Sequence, residues 1–195
     1  MKRLTAYVID IIIVSIFLFF INSLVNTINE SNLVTLNDNF INNKITVNEY
    51  YDNYVVINHN IAKENILTNI LSLILTIIYF VILPLKNDGK TLGKQIFKLE
   101  IKKQDEKELK FFDLIKRSIL IHGIFYLFVM IILVYILPSE TYFWIENILG
   151  IMQISIVIIS GFMVLYRKDK LGLHDIWAKT VVKEREKWEN LQNKN

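Results

Sequence analysis

Asp10 stands alone in an otherwise uncharged run from Leu4 to Asn29. A carboxylate at the centre of such an apolar run costs about 2.5–3.5 kcal/mol on insertion scales, so it implies a pairing or a titration. Arg3 precedes it by seven residues, two helical turns and about 10 Å along the axis, on the same helix face. Two chemistries fit. One is a proton or cation relay, in which the acid binds a cation or exchanges protons; the other is an ion pair that fixes helix packing. The position of Asp10 near one end of the run favours the pair. A second acid, Asp175, follows His174 near the C-terminus and can approach Arg3 or Arg117, since arginine suits bidentate carboxylate pairing. The expected site is one charge cluster of Arg3, Asp10, Arg117, His174 and Asp175. His122 either titrates near neutral pH or serves as a packing residue.

Other chemistries fail on residue type. Gly89-Lys90-Thr91-Leu92-Gly93-Lys94 is not a phosphate-binding loop: the spacing is wrong, and Gln95 stands where a Ser or Thr should ligate magnesium. Its glycines suit a turn and close packing instead. There is no cysteine and there are only three histidines, so no metal site, cofactor or catalytic constellation is expected, and the chain does not read as an enzyme.

The elements that must position these groups are membrane spans. The 195 residues are 53% hydrophobic with a mean hydropathy of +0.37, too apolar for a typical soluble domain. Met1-Lys2-Arg3 resembles a signal n-region, but the apolar run is span-length and no small-residue cleavage site follows. A span needs about 20 apolar residues. Four segments qualify, at about 4–25, 66–85, 118–137 and 148–166. The expected fold is an all-α membrane protein, a four-span transmembrane helical bundle with short amphipathic and β-like cytoplasmic segments.

Charge sets the orientation. Of the 22 basic residues, 20 fall in the N-terminus, the 86–117 loop and the segment from Arg167. The positive-inside rule places both termini and that loop in the cytoplasm. Topology accounts for the basic residues, so nucleic acid is not expected as a partner; anionic lipid contacts add about 1 kcal/mol per basic residue. The outer loop, 27–65, carries five acids against two lysines. It reads as a helical or hairpin cap, with a partner-binding surface as the less favoured role. Ser139–Asn147 reads as a tight turn whose Tyr142, Phe143 and Trp144 anchor at the interface. In the cytoplasmic loop, Asn87-Asp88-Gly89 is a turn, Thr91–Phe97 a short interfacial helix, Leu99–Ile101 a strand, and Phe111–Ile115 an amphipathic lead into the third span. After the fourth span, Leu171–Trp177 is amphipathic and Thr180–Val182 strand-like, completing a small platform on one membrane face.

Three stretches in order resemble the RDD family of bacterial integral membrane proteins: Arg3-Leu4-Thr5-Ala6-Tyr7-Val8-Ile9-Asp10, the Gly89–Lys94 stretch, and Leu171-Gly172-Leu173-His174-Asp175. Arg117 matches a family-like arginine before the next span. The resemblance implies one membrane domain over 1–183, with a charged cytoplasmic tail at 184–195. It also implies a small transporter or a subunit of one, since cation/proton exchange is proposed for the family. Against that stands the scarcity of polar residues at midplane in spans three and four. That scarcity favours a non-transporting accessory, assembly or immunity protein acting through helix–helix or outer-loop contacts. The expected setting is a bacterial cell membrane, multi-pass. The expected partners are the lipid bilayer and a second copy of the chain or another membrane protein.

Overall fold

Hydropathy concentrates in helices that bury only a narrow stripe. In the computed structural model, which describes residues 1–23 and 28–185, α1 (Lys2–Ser23) buries Ala6, Asp10 and Val14 and leaves residues such as Ile12, Phe17, Phe19 and Phe20 exposed. The spacing of four residues places these three on one helix face. Three helices are long and apolar enough to cross a membrane, and a fourth crossing is made if one bent helix pair counts as a single span. The first is α1. The second runs through Ile66–Lys86 as α4 (Ile66–Ile77), a π-helical turn (Ile78–Ile82) and α5 (Leu83–Lys86). The π turn leaves three consecutive side chains, Tyr79, Phe80 and Val81, buried.

The third crossing departs from the expected straight 118–137 segment. It starts earlier, as α7 (Phe111–Ile121), and bends by 73° into α8 (Ile124–Ile136). The bend sits at His122-Gly123, where Gly123 adopts φ +67°, a left-handed conformation that costs glycine little. The fourth helix, α9 (Ser139–Tyr166), begins well before the expected residue 148. The segment read as a tight turn is therefore its first two turns. Pro138 stands just before it and Glu140 lies in its first turn, both ordinary helix-start signals that a search for apolar runs passes over.

The outer loop is a helical hairpin, α2 (Ile28–Ile41) and α3 (Val47–Glu64). Thr46 caps α3 in a reciprocal capping box with Glu49. Tyr50 donates to Asn37 across the pair at 2.9 Å, and His59 pins α3 to the α8–α9 junction through Ser139 Oγ and the Val134 carbonyl, each at 2.8 Å.

At the opposite end lies the platform. It contains α6 (Leu92–Ile96), α10 (Leu173–Ala178) and an antiparallel pair, β1 (Leu99–Lys103) with β2 (Thr180–Glu184), in which Ile101 stands opposite Val182. Ile101 joins Val81, Leu114 and Ile124 in one buried cluster, which ties the strand to the spans above it. The expected continuation of the first span through Val25, the start of the outer loop at Thr27, and the charged tail beyond Arg185 lie outside the described residues.

Candidate functional site

Two carboxylates are fully buried where the spans meet the platform, and each has its own set of donors. Asp10 points from α1 towards α6. Its Oδ1 accepts from Tyr79 Oη at 2.7 Å and from the Gly93 N–H at 2.8 Å. Its Oδ2 accepts from Thr91 Oγ1 at 2.6 Å and lies 3.5 Å from Lys94 Nζ. The local sequence explains the geometry. Thr91 caps α6, which turns its hydroxyl inward, and the π turn brings Tyr79 to the same point. Gly93 permits the contact, because a Cβ there would sit 2.3 Å from the Ala6 carbonyl and 2.8 Å from Asp10 Oδ1. Burial lowers the Lys94 ammonium to about 8; Asp10 counters this, while Arg117 and Arg3 add to it.

Asp175 is held from three directions. Arg3 reaches its Oδ2 at 2.5 Å from α1, and Arg117 donates to its Oδ1 from α7. The Gly172 N–H donates to Oδ2 at 3.1 Å within its own segment. Arg117 also donates to Thr180 Oγ1 at 3.1 Å, and Arg3 donates to the Lys170 carbonyl. His174 Nε2 lies 3.4 Å from Asp175 Oδ2, while its Nδ1 meets Ser160 Oγ of α9 at 2.6 Å. Burial alone would raise the Asp175 carboxyl, but the guanidiniums of Arg117 and Arg3 outweigh it and hold the group well below the ordinary carboxylate range. Burial, and then Arg117, push His174 far below its usual value, so it is neutral at physiological pH.

The structure thus brings Arg3, Arg117, His174 and Asp175 together and places Asp10 beside them in a separate set. The expected Arg3–Asp10 pair does not form. Arg3 is drawn to Asp175, and Lys94 of the Gly89–Lys94 stretch takes its place at Asp10. In that stretch Gly89 forms the turn at φ +78°, Lys90 pairs with Asp88 at 3.4 Å, and Leu92 is exposed. His122 stacks on Phe80 with ring centroids 3.5 Å apart, and its Nδ1 has no hydrogen-bond partner among the described residues. Sequence reasoning missed Tyr79 and Thr180, because nothing local marks a residue whose partner lies about seventy positions away.

It also missed a row on α9. Glu146, Gln153 and Ser160 recur every seven residues, so they share one face at intervals of about 10 Å. Glu146 accepts from Asn58 Nδ2 at 3.2 Å, Gln153 donates to the Leu120 carbonyl at 2.9 Å, and Ser160 meets His174. Glu146 borders a cavity of about 220 Å³ between α3, α4, α8 and α9, with Asn58, Asn69 and Tyr126. The spacing itself was the available signal.

The family model described as RDD family matches residues 1–179 of the chain. No curated protein and no solved structure matches it.

Proposed function

The chain belongs to the RDD family, and from that premise we propose that it is a small transporter of protons or cations, or a subunit of one, in a bacterial cell membrane. The observation that carries this reading is the row Glu146, Gln153 and Ser160 on α9. It runs from the outer cavity to the charge centre along one face of α9, in a stretch whose other polar residues are Asn147 and Ser155. Intramembrane ionisable groups facing a bundle interior mark ion or proton pathways. On this reading Glu146 is the entry acid. Gln153, which lies against Gly123 at the bend, and His122, the residue before that glycine, bridge the midplane, and the Ser160–His174 pair delivers to the basic face. On this reading that face is cytoplasmic by its charge, and the positive-inside rule assigns both termini to the cytoplasm. The protein is not an enzyme on this reading, and it uses no cofactor. Its partners are the bilayer and a second copy or another membrane protein.

A second reading has its own observation. Asp10 and Asp175 are both saturated by protein donors, as bolts are and as cation ligands are not. A non-transporting accessory, assembly or immunity protein would need only such bolts and the outer hairpin, which exposes Val34, Ile41 and Val47.

Flux in proteoliposomes separates the two. Under the transport reading, a pH gradient drives Na⁺ or K⁺ movement. Glu146→Gln and Gln153→Leu each reduce it at least tenfold, while Asp52→Asn, on the exposed face of the outer hairpin, leaves it unchanged. Wild-type vesicles no leakier than protein-free ones would overturn transport in favour of the second reading.

A further inference from the structure

Between α1 and α9 lies an open cavity of about 310 Å³ that Glu146, Gln153 and Ser160 do not line, although His122 and His174 do. Its inner end is basic. Arg3, Lys94 and Arg117 line it, and no carboxylate does. Asp10 and Asp175 sit behind these cations, fully buried, so three cations face two acids and leave a formal charge of +1. Its outer walls are apolar, formed by Leu4 of α1 and by Ile158 and Phe162 of α9, whose side chains are also exposed. One polar group on its wall has no partner among the described residues: the Nδ1 of His122 is buried and unbonded. Buried polar atoms are rarely left so. The lining continues into a second cavity of about 580 Å³ at the basic face.

We propose that this cavity is a site for an anionic phospholipid, with the phosphodiester head between Arg3, Lys94 and Arg117 and an acyl chain leaving between α1 and α9. Each end of the cavity matches one end of such a molecule. Arginine binds phosphate oxygens in a bidentate fork and lysine as a point charge. Basic pockets between transmembrane helices take anionic headgroups by this chemistry. A free phosphate satisfies the basic end but leaves the apolar walls of α9 unexplained. Gly161 marks the unfilled space, since a Cβ built there meets nothing within 4 Å although the residue lines the cavity. The lysine ammonium that burial weakens would gain a second counter-charge from the head, beside that of Asp10. The site is independent of whether the protein transports anything.

The test uses the full chain in a neutral detergent, with the thermal midpoint and native mass spectrometry as separate readouts. Dihexanoyl phosphatidylglycerol raises the midpoint saturably, with half-saturation at least tenfold below that of dihexanoyl phosphatidylcholine, and inorganic phosphate alone does not. Gly161→Leu, which fills the chain path without touching the charged groups, raises the half-saturating concentration at least tenfold. The mass spectrum scores bound lipid even if that variant melts earlier. Equal binding of the two lipids, or unchanged binding by Gly161→Leu, overturns the proposal. A full response to inorganic phosphate that survives Gly161→Leu assigns the basic end to a free anion and overturns the lipid.

Discussion

Replacing Asp10 by Asn is the sharpest perturbation the structure offers, because the substitution keeps shape and removes only charge. The amide oxygen can occupy the Oδ1 position and keep the bonds from Tyr79 and Gly93. The amide nitrogen then takes the Oδ2 position and faces Thr91 Oγ1, which already accepts from the Lys94 N–H and Nζ. One charge-assisted bond is lost, worth about 1.5–3 kcal/mol. The Lys94 side chain, 10% exposed, loses its counter-charge as well. Breaking a buried ion pair on one side costs about 3–5 kcal/mol, and the whole effect should fall in that range. Most of it is the penalty on the stranded ammonium. Lys94→Met in the Asp10→Asn background should therefore recover stability, although Lys94→Met alone is destabilising. The assay is equilibrium unfolding in mixed micelles for all four proteins of the cycle. An Asp10→Asn cost below about 0.5 kcal/mol, or single costs that simply add in the double variant, would refute the pairing argument.

Lys94 also predicts a pH dependence. Its folded value of about 8 lies below the ordinary 10.5, so between those values the unfolded chain holds more protons. Stability contributed by this group rises with pH through that window, by at most about 3 kcal/mol, and is lost as pH falls through 8. Lys94→Met should flatten the curve there; an unchanged slope would contradict the assignment. Arg117→Met and Asp175→Asn should each cost about 3–5 kcal/mol and be less than additive together, read in the same unfolding cycle. Gly93→Ala should cost about 1–3 kcal/mol by overpacking against Ala6, whereas Gly150→Ala, which meets open space, should not destabilise. Reporters at both termini and at Asn87 should all read one side of the membrane and a reporter at Asn42 the other. Agreement of Asn42 with Asn87 would break the span count.

The chain's apolar runs determined the membrane class, because a bilayer penalises any unpaired polar backbone and a long apolar helix pairs its backbone within one segment. The cost of a lone acid likewise marked Asp10 as a residue with a partner. Local patterns were equally readable. The turn at Asn87–Gly89, the helix after Thr91 and the alternation of Leu99–Ile101 all depend on neighbouring residues, and each formed where its pattern stood, with both strands running two residues further. The start of α9 was also written locally, in Pro138 and Glu140, but a search for hydropathy alone does not weigh capping signals.

What only the tertiary structure decided was who pairs with whom. Arg3 lies two turns from Asp10 on the same helix, yet it binds Asp175 across 172 positions, while Lys94 crosses 84 positions to reach Asp10. A sequence lists charges without distances. In a bundle the choice among three cations for two acids depends on where α6 and α10 dock, on a π turn that aims Tyr79, and on a bend at Gly123. Coulomb attraction falls with distance and rises steeply as water leaves, so ångström-scale docking of short helices outweighs proximity along the chain.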